Sequence, residues 1–96
     1  MVDFRRCRDV RFRVVDREAV VLRQQAGETL VLNEVGARIL EILDGGASLA
    51  DTAERLASEF DVQIEQATRD AEVFADELVA AGILEEAAPD VAGPED

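Results

Sequence analysis

Residues 30–46 read LVLNEVGARILEILDGG and decide the fold. The apolar run Leu30–Leu32 is typical of a β-strand. Asn33 is a good helix N-cap because its side-chain oxygen can accept a hydrogen bond from a free N–H of the first turn. Apolar residues then recur at steps of three and four, which predicts one buried helix face: Val35, Ile39, Ile42 and Leu43. Two glycines end this helix. The stretch therefore predicts a strand that passes directly into a capped helix.

Two more strands are predicted before this stretch. Residues 10–14 alternate apolar and charged side chains, which is the period of a half-buried strand. Residues 19–22 form a second short apolar run, which contains two β-branched valines. Gly27 then allows a turn into a third strand, residues 29–32, in which Leu30 and Leu32 must share one face. These runs predict a small antiparallel sheet of three strands.

Two amphipathic helices are predicted after the first. Ser48, with Asp51 three residues later, resembles a capping box before an apolar face: Leu49, Ala53, Leu56, Ala57 and Phe60. The third helix spans about residues 64–81, and Gly82 ends it in a Schellman motif. Its core face contains Ala67, Ala71, Phe74, Ala75 and Leu78. The order βββααα predicts an α+β fold that is similar to a winged helix-turn-helix.

The 96 residues are enough for one domain. We expect a flexible basic arm over residues 1–8, a folded domain over residues 9–84 and a disordered acidic tail over residues 85–96. No apolar run approaches the roughly 18 residues of a membrane helix. The charged N-terminus does not resemble a signal peptide, so the sequence predicts a cytoplasmic protein without a membrane partner.

Composition makes catalysis and nucleic-acid binding poor candidates. The chain has no histidine and one cysteine, Cys7, so histidine-dependent nucleophilic catalysis and histidine-ligated metals are excluded. We therefore expect that the protein is not an enzyme and that it binds no cofactor and no metal. Residues 1–23 contain seven arginines and four acids, whereas residues 24–96 contain three arginines and eighteen acids. An acidic body repels phosphate backbones, so nucleic acid is not an expected partner.

The sequence resembles the PqqD family, small peptide chaperones that are also called RiPP recognition elements. The resemblance covers residues 9–84 and depends on an ordered set of short segments rather than on one strong motif. These segments are Leu32–Ala37, Ile39–Leu40, Leu43–Gly46, Ala53–Leu56, Glu59–Val62, Asp70, Phe74, Glu77–Leu78 and Ala81–Leu84. Residues 21–25 read VLRQQ, where members of the pyrroloquinoline-quinone pathway carry a stretch like Leu-Leu-Tyr-Pro-Glu. The resemblance therefore fits a stand-alone protein for a lasso peptide, or for a radical-SAM-modified peptide, at least as well as it fits a member of the pyrroloquinoline-quinone pathway.

The resemblance implies a function and a site. Such proteins bind the leader segment of a ribosomal precursor peptide by β-augmentation and deliver it to a modifying enzyme, such as a radical SAM protein or a lasso-peptide protease or cyclase. It implies that the third strand is the open edge and that the third helix is the other wall of the groove. Independently, Val73 lies away from the core stripe on a helical projection, among polar residues. The expected peptide-binding residues are Thr29, Leu30, Val31, Leu32, Arg69, Asp70, Val73, Phe74 and Glu77.

Two other functions are weighed against peptide binding. A winged-helix DNA-binding transcriptional regulator needs a basic recognition helix, but the third helix has one arginine and five acids. An enzyme would need a buried pair of carboxylates or an activated Cys7, and the sequence predicts neither. The chain is expected to be a monomer or a dimer, including a swapped dimer, because open strand edges permit exchange.

Overall fold

The computed structural model describes residues 3–87. The strands are β1 (Asp3–Arg6), β2 (Val10–Val15), β3 (Glu18–Arg23), β4 (Glu28–Leu32) and β5 (Leu84–Ala87). The helices are α1 (Glu34–Asp44), α2 (Leu49–Phe60) and α3 (Ile64–Ala80). The prediction of an α+β fold, with an antiparallel three-stranded sheet followed by three helices, is confirmed.

The three predicted strands form an antiparallel sheet in the order β2-β3-β4. Burial alternates along β3, because Ala19 and Val21 face the helices whereas Val20 and Leu22 are exposed. Val20 lies opposite Val31 of β4, so both side chains belong to the solvent face. This order leaves β4 at one edge of the sheet, immediately before α1.

The helix ends follow the predicted local chemistry. Asn33 caps α1, and its Oδ1 accepts a hydrogen bond of 2.9 Å from the N–H of Gly36. Ser48 caps α2, and its Oγ accepts one of 3.0 Å from the N–H of Asp51. At the end of α3, Gly82 has a φ of 79° and the N–H of Ile83 donates to the carbonyl of Leu78 at 2.9 Å, which is a Schellman motif.

The core lies between the helices and the inner face of the sheet. Among the helices, α1 contributes the most large buried side chains, while α3 contributes mostly alanines that let its backbone pack closely. Each fully buried leucine or isoleucine contributes roughly 1.5–3 kcal/mol through the hydrophobic effect. The buried residues of the three helices include Ile39, Leu40, Leu43, Leu56, Ala67, Ala71, Ala75 and Leu78.

The ends of the described chain differ from the predicted arm and tail. Strand β1 pairs antiparallel with β5, so that Phe4 lies opposite Glu86, and the Phe4 side chain is buried in the core. Arg5 of this pair also forms an ion pair of 2.7 Å with Glu85. The expectation of a flexible arm is therefore wrong for Asp3–Arg6, and that of a disordered tail is wrong for residues 85–87. The rest of the predicted tail, residues 88–96, lies outside the described residues.

An ion-pair cluster joins α1 to α2. The Arg38 guanidinium donates from Nε and Nη2 to the two carboxylate oxygens of Glu59, at 2.7 and 2.8 Å, and from Nη1 to Glu41 at 3.4 Å. The hydrogen bonds from Arg38 hold the pKa of Glu59 below its ordinary value, although partial burial acts in the opposite direction. The same pairing raises the pKa of Arg38.

The lowered pKa of Glu59 predicts a pH dependence of stability. A carboxyl group with a lower pKa in the folded state stabilises the fold above its unfolded pKa, about 4.3, and loses that contribution as the pH falls. We expect the free energy of unfolding to fall on acidification from about pH 5, and Glu59→Gln to remove part of that fall. The effect is limited to under about 1 kcal/mol because the pair is partly exposed.

Urea titrations across this pH range measure the effect. Glu54→Gln is the matched control, since Glu54 is an exposed carboxylate of α2 with no ion-pair partner within 4 Å among residues 3–87. An identical pH profile for Glu59→Gln and the unmodified protein would contradict a stabilising role for this pair.

Candidate functional site

A groove of about 380 Å³ lies between the start of α1 and the exposed side of α3. Asn33 and Val35 line one wall, directly after β4 ends. The other wall consists of residues on α3 that recur at steps of three and four, and so lie on one side of the helix. All five are residues that the sequence predicts for a peptide site: Arg69, Asp70, Val73, Phe74 and Glu77.

The floor of the groove is apolar. The half-buried Phe74 ring packs against α1 at Gly36, where an added Cβ would lie 2.5 Å from Cε1 and would also contact Cζ. Glycine at this position therefore lets the ring approach the helix backbone. Val35 is half-buried beside the ring, and Val73 is 50% exposed at the rim. The groove thus offers an apolar surface for one or two side chains of a ligand.

Charged groups surround this floor. Arg69 and Glu77 are exposed, and neither has an ion-pair partner within 4 Å in the described part of the chain. Asp70 is half-buried and accepts a hydrogen bond of 2.9 Å from Nε2 of Gln66, one turn earlier on α3. Arg69 and Glu77 are therefore free to interact with charges on a ligand.

Strand β4 has one edge without a partner among residues 3–87. Leu30 and Leu32 are half-buried against the core, whereas Thr29 and Val31 are exposed, which confirms the predicted sharing of faces. These four residues do not line the groove between α1 and α3. Strand β2 is also an edge strand, but only β4 leads directly through Asn33 into that groove.

Two residues that line the groove, Asn33 and Val35, are not among those that the sequence predicts for a peptide site. The sequence predicts Asn33 only as a helix cap and Val35 only as part of the core face. Both roles are correct, since Asn33 caps α1 and Val35 packs against the core, but both side chains also line the groove. Their position directly after the predicted edge strand was the signal that could have placed them in the groove.

The surroundings of Cys7 do not favour a nucleophilic role for its side chain. Burial raises the pKa of the Cys7 thiol, and the nearby carboxylates of Glu85 and Asp9 raise it further, which disfavours the nucleophilic thiolate. Within residues 3–87, no group of histidine, cysteine and acidic residues could hold a metal ion. Over the same residues, no helix has the length and apolar character to cross a membrane.

Comparisons with known proteins agree with this arrangement. A search of curated sequences finds no significant match. Among solved structures, TbiB1 in complex with the TbiA(beta) leader peptide is 27% identical, with a TM-score of 0.80 over 88% of this chain and 99% of that one. Lasso peptide synthetase B1, complexed with the leader peptide, is 31% identical, with a TM-score of 0.79 over 86% and 98% of the two chains. The family model for coenzyme PQQ synthesis protein D matches residues 18–84, so this chain belongs to the PqqD family.

Proposed function

We propose that this protein binds the leader segment of a ribosomally synthesised precursor peptide and presents the peptide to a modifying enzyme. The leader would add to the sheet as an extended strand along β4, and one or two of its side chains would enter the groove beside α3. Main-chain hydrogen bonds would then supply affinity, and the groove would supply specificity. The two similar structures, each of which contains a bound leader peptide, support this proposal.

One observation carries the proposal for this chain. The open edge of β4 continues through Asn33 into an apolar groove rimmed by charges that have no ion-pair partner among the described residues. A strand edge binds any extended peptide, whereas a groove at its end selects particular side chains. The expected ligand is therefore an extended peptide with apolar anchors and at least one charged residue.

The proposed role is binding without catalysis, and the chemistry on the peptide belongs to the partner enzyme. That enzyme is a radical SAM protein, a lasso-peptide protease or cyclase, or a similar modifying enzyme of RiPP biosynthesis. The DNA-binding alternative is not supported: α3 has only Arg69 as a basic residue against five acids, so it would be repelled by DNA.

A fluorescence-anisotropy titration tests the proposal. The probes are labelled leader segments of the short precursor peptides encoded beside this gene, with the matching core segments as controls. We expect saturable binding to one leader with a Kd at or below about 1 μM, which corresponds to about −8 kcal/mol. Binding that requires the core segment, or no binding to any leader by the folded protein, would overturn the proposal.

A further inference from the structure

The solvent face of the three-stranded sheet has an unusual composition. We call this surface the outer face, and its outward-pointing residues are Arg11, Arg13, Val15, Glu18, Val20, Leu22, Thr29 and Val31. An antiparallel sheet with one solvated face ordinarily carries polar side chains on that side. Here four of the eight are aliphatic, and these four are between 38% and 62% exposed. The face therefore leaves an apolar patch in contact with water.

The register places these residues next to one another. Val20, in the centre of β3, lies opposite Arg13 on one side and Val31 on the other. Leu22, also on β3, lies opposite Arg11 of β2. The outer face therefore runs from arginines on β2, across aliphatic side chains on β3, to Val31 on β4. An apolar centre and an enrichment in arginine are both typical of protein–protein interfaces.

The charge of this face is opposite to that of the whole protein. The chain has a net charge of −12, yet Arg11 and Arg13 are exposed here and Glu18 is the one acid on the outward positions of the three strands. Neither arginine has an ion-pair partner within 4 Å among residues 3–87. The complementary surface has an apolar centre and carboxylates at its rim. A second copy does not offer such a rim of carboxylates, because its own outer face has the same two arginines and one acid, Glu18.

We propose that the outer face is the docking surface for the modifying enzyme, and that the enzyme presents aliphatic side chains flanked by aspartate or glutamate. This inference rests on the proposed function, because it identifies where the enzyme that receives the peptide is held. Strand β4 belongs to both surfaces: its open edge takes the leader, and Val31 on its solvent face contacts the enzyme. The enzyme therefore binds beside the leader without occupying the groove.

Two pairs of substitutions test the docking surface. Arg11→Glu with Arg13→Glu reverses the charge of the outer face. Val20→Thr with Leu22→Thr removes apolar surface and introduces threonine, a β-branched residue that suits a strand. Arg8→Glu with Arg55→Glu is the control, because it changes the net charge equally at exposed arginines outside the outer face. Each variant is checked for folding by circular dichroism. Its affinities are then measured separately for labelled leader and for each purified modifying enzyme encoded beside this gene.

We expect both outer-face variants to bind the enzyme at least tenfold more weakly, while their leader affinity stays within about twofold of the unmodified protein. The control should keep both affinities. Enzyme binding that is unchanged in both outer-face variants would overturn the docking surface, as would leader binding without binding to any of these enzymes. Loss of enzyme binding in a protein that never binds a leader would instead support the surface and overturn the proposed function.

Discussion

Gly36→Ala is expected to weaken leader binding at least tenfold and to lower the free energy of unfolding by about 1 kcal/mol. Alanine is ordinarily the better residue inside a helix, by about 1 kcal/mol. Here, however, the new methyl group would lie 2.5 Å from Cε1 of Phe74, and overpacking of this kind costs about 1–3 kcal/mol. To relieve this overlap, the Phe74 ring must move away from α1, and this movement changes the floor of the groove.

The double variant Gly36→Ala with Phe74→Leu separates this contact from other effects of the alanine. Leucine lacks the Cε and Cζ atoms that the methyl group would meet. We therefore expect the alanine to be neutral or stabilising in the leucine background, as measured by urea unfolding. A single Gly36→Ala variant that is as stable as the unmodified protein and binds the leader equally well would show that the ring contact does not shape the site.

Backbone N-methylation of the leader is expected to reduce affinity with a period of two. Along a strand, successive N–H groups point to opposite sides, so only alternate leader residues can donate to the edge of β4. Loss of a ladder hydrogen bond that leaves its acceptor unpaired costs about 1–3 kcal/mol, and the methyl group also obstructs the approach of the strands. We expect losses of at least tenfold at ladder positions and less than about threefold at the residues between them.

Competition against a labelled leader measures each methylated peptide, and this scan leaves the protein unchanged. The same modification outside the bound segment is the control. A uniform loss along the segment, or sensitivity confined to one residue, would contradict β-augmentation. The second result would favour recognition of a single side chain in the groove.

Much of this fold follows from local sequence patterns. The cap at Asn33, the Schellman ending at Gly82 and the shared face of Leu30 and Leu32 each depend on residues a few positions apart, and each lies where it was predicted. The five groove residues on α3 were predicted partly because the family resemblance implies that this helix is a wall of the groove, and the helical projection independently singled out Val73. The open edge at β4 was an implication of the family resemblance, since three strand patterns alone do not show which strand is central.

The missed features depend on contacts between distant residues. Strands β1 and β5 each have four residues and are separated by almost the whole chain, so neither shows a convincing pattern alone. Phe4 is followed by arginines, and its burial depends on that pairing. The approach of Phe74 to Gly36 likewise joins two helices that have no shared sequence signal. Local sequence patterns therefore predict the main helices and strands. They do not predict the contacts between distant residues, such as the pairing of β1 with β5 and the packing of Phe74 against Gly36.

The pairing of β1 with β5 also decides how this domain can be joined to other proteins. Asp3 and Ala87 are register partners, so their Cα atoms are about 5 Å apart, at one place on the surface. A linker of a few residues could connect these two positions, and new termini could be opened in the turn at Gly27. A circularly permuted chain of this kind would keep β4, α1 and α3 in the same order along the chain. The groove would therefore remain intact. The same closeness suits the domain for insertion into a loop of a larger enzyme, where it would enter and leave at a single point.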